Sequence, residues 1–173
     1  MTVTIRSALP ADRAEVEQLV RRESAAGRVL PRAFVPSEFL VAEVAGRVQG
    51  TLSVSAWSPD VLELGTVISA LPGHRIGDRL VEAGLSLATR TGHGWAVVLT
   101  GIPGFFSRQG FTTVDATPWA RARGPVATAS LEAGLDQAIG AKAAGSCVRC
   151  PFLGTCSQAL MALPLHATVR ACA

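Results

Sequence analysis

The sequence predicts a mixed α/β fold (α+β) built on a mostly antiparallel sheet. Segments typical of strands and helices alternate over residues 1–115, and a three-strand meander lies between two helices. The apolar segment Val61–Ala70 is connected to the apolar segment Trp95–Thr100 by a helix, which requires a parallel pair with a right-handed crossover. Hydrophobic residues make up 49% of the 173 positions and charged residues 17%, so the composition predicts a folded chain.

The first elements are a short strand and an amphipathic helix. Thr2–Ile5 alternates like a strand, and Pro10-Ala11-Asp12 opens a helix. Asp12 is expected to cap this helix, with Glu15 completing a capping box. The helix is expected to end near Ala25–Gly27, and three apolar residues at helical spacing form its buried stripe: Val16, Leu19 and Val20.

A hairpin and a third strand follow. Phe39–Val44 is a compact apolar strand, Ala45-Gly46-Arg47 is a turn, and Val48–Trp57 alternates with a period of two. After the turn at Ser58-Pro59-Asp60, Val61–Ala70 is the third long strand of the meander.

A helix of about four turns precedes the fourth long strand. It begins near Ile76, repeats apolar residues every 3.6 positions, and ends at Gly92. Trp95–Thr100 is typical of a strand buried on both faces. A short helix, Pro103–Gln109, and a last strand, Phe111–Val114, complete the core.

The composition changes after Asp115. Arg121–Lys142 is rich in Ala and Gly and predicts one helix, and all four cysteines follow Gly145. We therefore expect residues 1–116 to form the core and residues 117–173 a helical, Cys-containing extension packed on the same domain.

Charge and hydropathy argue against several functions. The net charge of +3 without a Lys/Arg block does not predict nucleic-acid binding. The uncharged run 151–169 contains Pro, Gly, Ser and Gln, so no membrane span is expected. Residues 1–7 are typical of a strand rather than a secretory signal, and we expect a cytoplasmic protein. Four cysteines in that compartment predict free thiols or a metal site rather than disulfides.

Several motifs together resemble the GNAT N-acetyltransferase superfamily over residues 3–115, and more narrowly the short amino-acid N-acetyltransferases related to N-acetylglutamate synthase. Leu30-Pro31-Arg32 stands where that narrower group places a substrate-binding Leu-Pro-Arg, and the tail from Cys147 to Cys156 is similar to the Cys-rich tail of some members. The remaining motifs are Phe39–Glu43, Gly46–Gly50, Glu63-Leu64, Pro72–Leu80, Leu99-Thr100 and Phe105–Phe111.

The resemblance implies a sheet with a central splayed parallel strand pair that holds acetyl-CoA. Its pantetheine arm would pair with the free edge of the third long strand, and its pyrophosphate would lie on the following loop and helix N-terminus. Pro72 and Arg75 depart from the family's loop pattern, Gln/Arg-x-x-Gly-x-Gly/Ala. The cofactor-binding residues implied are Val67, Ile68, Ser69, Gly73, His74, Arg75, Ile76, Gly77, Phe105 and Phe106.

The resemblance also suggests catalytic and substrate-binding residues. Glu63 is the candidate base, or alternatively an ordinary solvated glutamate. Many family members use a Tyr as the acid, but this chain has none and Phe106 occupies its position, so Ser107 is the candidate substitute. Arg32 and Thr100 are candidate substrate-binding residues. A second Arg of the narrower family is replaced by Gly65, which argues against glutamate itself as the acceptor.

The cysteine cluster has two interpretations. Cys147, Cys150 and Cys156 have spacing compatible with zinc or an iron–sulfur site, with His166 or Cys172 as a fourth ligand. Alternatively, they are buried apolar thiols.

Three functions follow from these observations. The first is acetyl-CoA-dependent N-acetyl transfer to the amino group of a small amino-acid-like substrate, an EC 2.3.1 type of reaction. The alternatives are a GNAT-like domain that has lost catalysis and acts as a binding or regulatory partner, and a metal-binding module centred on the Cys tail. The partner expected is a small-molecule amine, and a homodimer is left open.

Overall fold

The computed structural model describes residues 2–115, 117–124 and 131–165, and its sheet has seven strands. The spatial order is β1-β2-β3-β4-β5-β7-β6, with one parallel neighbour pair, β4 and β5. The strands are β1 (Val3–Ser7), β2 (Phe39–Val44), β3 (Arg47–Ala56), β4 (Val61–Ser69), β5 (Trp95–Thr100), β6 (Thr112–Val114) and β7 (Ala159–Pro164). The helices are α1 (Arg13–Ala25), α2 (Ile76–Arg90), α3 (Pro103–Ser107), α4 (Pro118–Arg123) and α5 (Ala133–Gly145). The predicted fold class is confirmed.

The first compact unit comprises Met1–Ser55 and Leu64–Leu87. Its core is formed by the stripe of α1 and the inward residues of β2 and β4, among them Val16, Val41 and Ile68. The chain approaches itself closely at Gly50, where an added Cβ would lie 2.8 Å from the carbonyl oxygen of Ile68. A glycine is therefore needed at this point of β3.

The second compact unit comprises Ala56–Glu63 and Ala88–Ala173. Apolar side chains of β5, β7 and α5 form its core, including Val97, Leu160 and Ile139. Burying such a side chain fully contributes roughly 1.5–3 kcal/mol, so α5 is held by packing along one of its faces. The strand β4 divides between the units after Glu63.

Two predictions for the start of α1 need correction. Asp12 does not cap α1 through its side chain, because its carboxylate accepts hydrogen bonds from Arg6 and the Leu9 amide instead. Glu15 does not complete a capping box, since it binds the backbone amide of Val48.

The C-terminal segment also differs from the prediction. The helix predicted within Arg121–Lys142 is observed as α5, and a further short helix, α4, precedes it in the chain. Thr112–Val114 is not the last strand, because β7 enters the sheet between β5 and β6 and pairs antiparallel with both. No helix among the described residues is both long and apolar enough to cross a membrane.

Candidate functional site

The carboxylate of Glu63 lies where the parallel pairing of β4 and β5 ends. The pairs are Val61 with Trp95, Leu62 with Ala96, and Glu63 with Val97. Beyond Glu63, β4 continues to Ser69 and forms no further pair with β5 among the described residues. The predicted parallel pair is therefore joined over three residues only.

Two donors hold one oxygen of this carboxylate. The indole Nε1–H of Trp57 donates to Glu63 Oε2 at 2.7 Å, and the Lys142 ammonium donates to the same oxygen at 2.9 Å. Within the described part of the chain, Glu63 Oε1 accepts no hydrogen bond. With its side chain 11% exposed, Glu63 is a nearly buried anion with one oxygen available to an incoming donor.

Lys142 reaches Glu63 from α5, 79 positions away in the sequence. The position of this helix is fixed by its buried face, which consists of Leu135, Ala138, Ile139 and Ala143. The Lys142 ammonium also lies 5.1 Å from the centroid of the Trp57 ring, within cation–π range. Trp57 and Glu63 therefore form two contacts around one ammonium group.

The charges of Lys142 and Glu63 both affect the pKa of the nearby Cys147 thiol. Burial raises the pKa of the Cys147 thiol above its ordinary value, and the positive charge of Lys142 only partly opposes this effect. Burial therefore favours the protonated thiol over the thiolate at Cys147.

The metal-ligand prediction for Cys147, Cys150 and Cys156 finds no support. No three His, Cys, Asp or Glu side chains in the described ranges are placed to hold a metal ion. The three thiols are free and half-buried on short turns after α5. His166 and Cys172, the candidate fourth ligands, lie outside the described residues.

The predicted pantetheine edge, Val67–Ser69, forms the end of β4. Ile68 is buried in the core of the first unit, and Ser69 is exposed. Just before this edge, Thr66 has a φ of 49°, which is unusual for a β-branched residue, and its Oγ1 accepts a hydrogen bond from Ser53 at 3.1 Å. The strand backbone is therefore irregular at Thr66, between Glu63 and the predicted edge.

The loop before α2 preserves a glycine-like conformation at Arg75. Its φ of 52° is left-handed, as glycine readily adopts, although the family's glycine is absent at this position. The Arg75 side chain is 80% exposed and pairs with Asp78, and Gly73 is also left-handed with a φ of 80°. His74 is exposed, Ile76 is buried, and Gly77 lies in the first turn of α2.

Arg32 lines a cavity in the first unit with a volume of about 430 Å³. Its Nη2 donates to Glu38 Oε2 at 2.7 Å, while its Nε is buried without a hydrogen-bond partner among the described residues. Ser24 lines the same cavity, and its buried Oγ likewise lacks a partner there. Each of these two buried polar atoms calls for a hydrogen-bond partner, because leaving it unpaired costs free energy.

The remaining predicted residues lie in the second unit. Thr100 is buried at the end of β5, and its Oγ1 accepts the Ile102 amide hydrogen bond at 3.0 Å. Ser107 is exposed at the end of α3. Phe106 is buried and packs edge-on against Phe105, with ring centroids 4.9 Å apart, so its side chain supports the core.

Four residues of these sites are not predicted by any sequence motif. They are Ser24, Trp57, Thr66 and Lys142. One signal was available for Lys142, which is the only lysine in the chain. The contact between Lys142 and Glu63 depends on tertiary structure, which local patterns do not encode.

Solved structures share this architecture. N-acetylglutamate synthase from Neisseria gonorrhoeae, complexed with coenzyme A and N-acetyl-glutamate, is 19% identical with a TM-score of 0.70, over 96% of this chain and 36% of that one. Rv2747 from Mycobacterium tuberculosis, in complex with CoA and NLQ, is 27% identical with a TM-score of 0.71, over 93% of this chain and 98% of that one. The GNAT family N-acetyltransferase YhbS from Escherichia coli, in complex with CoA, is 22% identical with a TM-score of 0.51, over 64% and 69% of the two chains.

These similarities define the class of fold. The chain has the GNAT fold, and the resemblance predicted from its sequence is confirmed at that level. Within that class, it is similar to N-acetylglutamate synthase over 36% of the synthase chain. No protein-family model and no curated protein matches the sequence.

Proposed function

We propose that this protein transfers the acetyl group of acetyl-CoA to the amino group of a small amino-acid-like molecule. The observation that carries the proposal is the Glu63 carboxylate at the end of the parallel pairing, with Oε2 held by two donors and Oε1 open. An acceptor ammonium that binds Oε1 can lose a proton to the carboxylate and become nucleophilic. The GNAT fold of the chain and the CoA complexes of similar structures support this reading.

The cofactor would bind along β4 and the loop that follows it. Backbone groups of Val67–Ser69 would pair with the pantetheine amides, and the N-terminus of α2 would receive the pyrophosphate. The left-handed Arg75 supports this assignment, because the backbone conformation persists where the family pattern has glycine. The exposed Arg75 guanidinium and His74 imidazole are available to the phosphates, and Phe105 is the proposed neighbour of the thioester.

The reaction needs few protein groups beyond the base. Once deprotonated, the amine attacks the thioester carbonyl, and the coenzyme A thiolate leaves as the amide forms. Ser107 is the proposed donor of a proton to that thiolate, since the chain contains no Tyr. Holding the amine and thioester together supplies much of the rate enhancement in such a reaction.

The acceptor's carboxylate is assigned to Arg32. A guanidinium binds a carboxylate through two parallel hydrogen bonds, and the unsatisfied Nε of Arg32 provides one free donor at the cavity. The unsatisfied Ser24 Oγ is a second polar group for the same ligand. We therefore propose that the acceptor is an amino acid, and we propose Thr100 as a further contact to it.

The experiment is a thermal-shift titration with acetyl-CoA followed by a panel of amino acids. Coenzyme A release should be followed by chromatography, because the free thiols of the chain react with thiol reagents. A saturable stabilisation by acetyl-CoA and release with some amino acids are expected. Stabilisation without release would favour a binding domain. The absence of both stabilisation and release would disprove the proposal.

Arg32→Ala tests the substrate class. The KM of the accepted amino acid should rise about 10-fold or more, because a charge-assisted hydrogen bond contributes roughly 1.5–3 kcal/mol. Arg28→Ala is the matched control, since Arg28 is an exposed arginine paired with Glu23. An equal KM in both variants would remove Arg32 from substrate binding.

A further inference from the structure

Lys142 occupies an unusual position for the only lysine among 16 basic residues. The other 15 residues of this set are arginines. The only primary amine on a side chain therefore contacts the carboxylate that we propose as the catalytic base, 2.9 Å from Glu63 Oε2. A lysine can lose its proton and act as a nucleophile, whereas an arginine cannot.

The surroundings of Lys142 amount to a binding site for an ammonium group. Glu63 provides the anionic contact, and the Trp57 ring provides the cation–π contact at 5.1 Å. The Lys142 side chain is 21% exposed, so it is only partly buried. Its amine therefore meets one requirement of an acceptor, a base in hydrogen-bond contact, and lies on a side chain that solvent reaches in part.

We propose that Lys142 is an internal acceptor and that the protein acetylates its own Lys142 from acetyl-CoA. This inference rests on the proposed function, because acetyl-CoA must bring its thioester to Glu63. Glu63 takes a proton from the Lys142 ammonium, and the neutral Nζ attacks the thioester carbonyl. A C–N bond forms, the C–S bond breaks, and the coenzyme A thiolate leaves and takes up a proton.

Acetylation would change the site that it occupies. The amide of acetyl-lysine carries no charge, so the ion pair with Glu63 and the cation–π contact with Trp57 are both lost. Glu63 is then left without its cationic partner, and an external ammonium gains a stronger attraction to it. Self-acetylation is thus expected to favour acceptor binding after the first turnover.

The experiment follows acetylation of the full-length protein by intact mass and by peptide mapping. Incubation with acetyl-CoA alone should add one acetyl group at Lys142, and Lys142→Arg should abolish that modification. Glu63→Gln should slow it about 100-fold, the size of effect expected for loss of a general base. An excess of an accepted amino acid should also slow it by competition for Glu63.

A chemical origin is tested with urea-unfolded protein. Equal rates of Lys142 acetylation in the folded protein, the Glu63→Gln variant and the unfolded chain would overturn the proposal. An unmodified Lys142 in a protein that acetylates amino acids would overturn it while leaving the proposed function intact. A protein that neither binds acetyl-CoA nor modifies any amine would disprove both proposals.

Discussion

Two nearly buried carboxylates, one in each unit, differ in how completely they are hydrogen-bonded. The side chains of Asp12 and Glu63 are 9% and 11% exposed, so their burial is the same. Both oxygens of Asp12 are occupied, since Oδ1 accepts from Arg6 at 2.9 Å and Oδ2 accepts from Arg6 and the Leu9 amide at 2.7 Å each. Glu63 concentrates two donors on Oε2 and leaves Oε1 unbound by any described residue.

The comparison teaches that burial alone does not identify a reactive carboxylate. A buried charge is stable when both carboxylate oxygens are hydrogen-bonded, as in Asp12, and it then contributes to folding. A buried charge with an open oxygen retains capacity for an external donor, as in Glu63. The predictions below test whether this difference separates folding from chemistry.

The largest effect is expected for Glu63→Gln. The amide can still accept from Trp57 and Lys142, but it cannot take a proton, so kcat should fall about 100-fold or more. Coenzyme A affinity, measured by calorimetric titration, should stay nearly unchanged. Glu43→Gln is the control for a glutamate with a structural partner, Arg6. Turnover that is equal in the two variants would show that Glu63 is not the base.

The next effect is expected for Asp12→Asn, which should lower the free energy of unfolding by about 2 kcal/mol at pH 7. The loss reflects charge-assisted hydrogen bonds with Arg6, which the amide cannot reproduce. Urea titration measures the free energy, and kcat per folded molecule should remain that of the parent protein. A large fall in kcat would contradict the assignment of Asp12 to folding and of Glu63 to chemistry.

The Asp12 effect should also depend on pH in one direction. Hydrogen bonds from Arg6, and then from the Leu9 amide, hold the pKa of Asp12 below its ordinary value of 3.8 despite the opposing effect of burial. Its stabilisation is complete above that ordinary value and is lost as the pH falls through the folded-state pKa. The stability gap between parent and Asp12→Asn should therefore close on acidification below about pH 4, and a gap that widened there would contradict the assignment.

The smallest effect is expected for Trp57→Phe. The ring against Lys142 remains, but one of the two donors to Glu63 Oε2 is removed, so kcat should fall about 5-fold, which corresponds to roughly 1 kcal/mol. Trp119→Phe is the matched control, since it also loses an indole hydrogen bond, to the Gln158 carbonyl, at 2.9 Å. A fall in kcat confined to Trp57→Phe would show that the carboxylate must be held by both donors, and equal kcat values would refute this.

Local patterns predicted most of the fold. The hairpin strands β2 and β3 and the helix α2 carry strong periodicity and clear glycine signals, so their positions were close to those observed. Strand β7 was missed because Ala159–Pro164 is a short, nearly continuous apolar run without alternation. Its partners, β5 and β6, lie about 50 positions or more away in the sequence, beyond the reach of any local signal.

The candidate site was predicted only in part. The resemblance predicts Glu63, the β4 edge and Arg32 as site residues because they belong to continuous motifs. It gave no information on Trp57 and Lys142 as donors, since their contacts with Glu63 arise from packing of α5 on the sheet. The Asp12 cap was wrong because Arg6, in the preceding strand, competes for the carboxylate.

The conformation and the hydrogen bond of Thr66 limit which residues can replace it in β4. A left-handed conformation costs a residue with a side chain roughly 1–2 kcal/mol, and Thr66 adopts it in the strand that leads from Glu63 to Ser69. Glycine or asparagine would adopt the same conformation more readily. Neither carries the hydroxyl that accepts the hydrogen bond from Ser53. Natural variation at position 66 should accordingly be coupled to variation at position 53, with the two residues exchanged together.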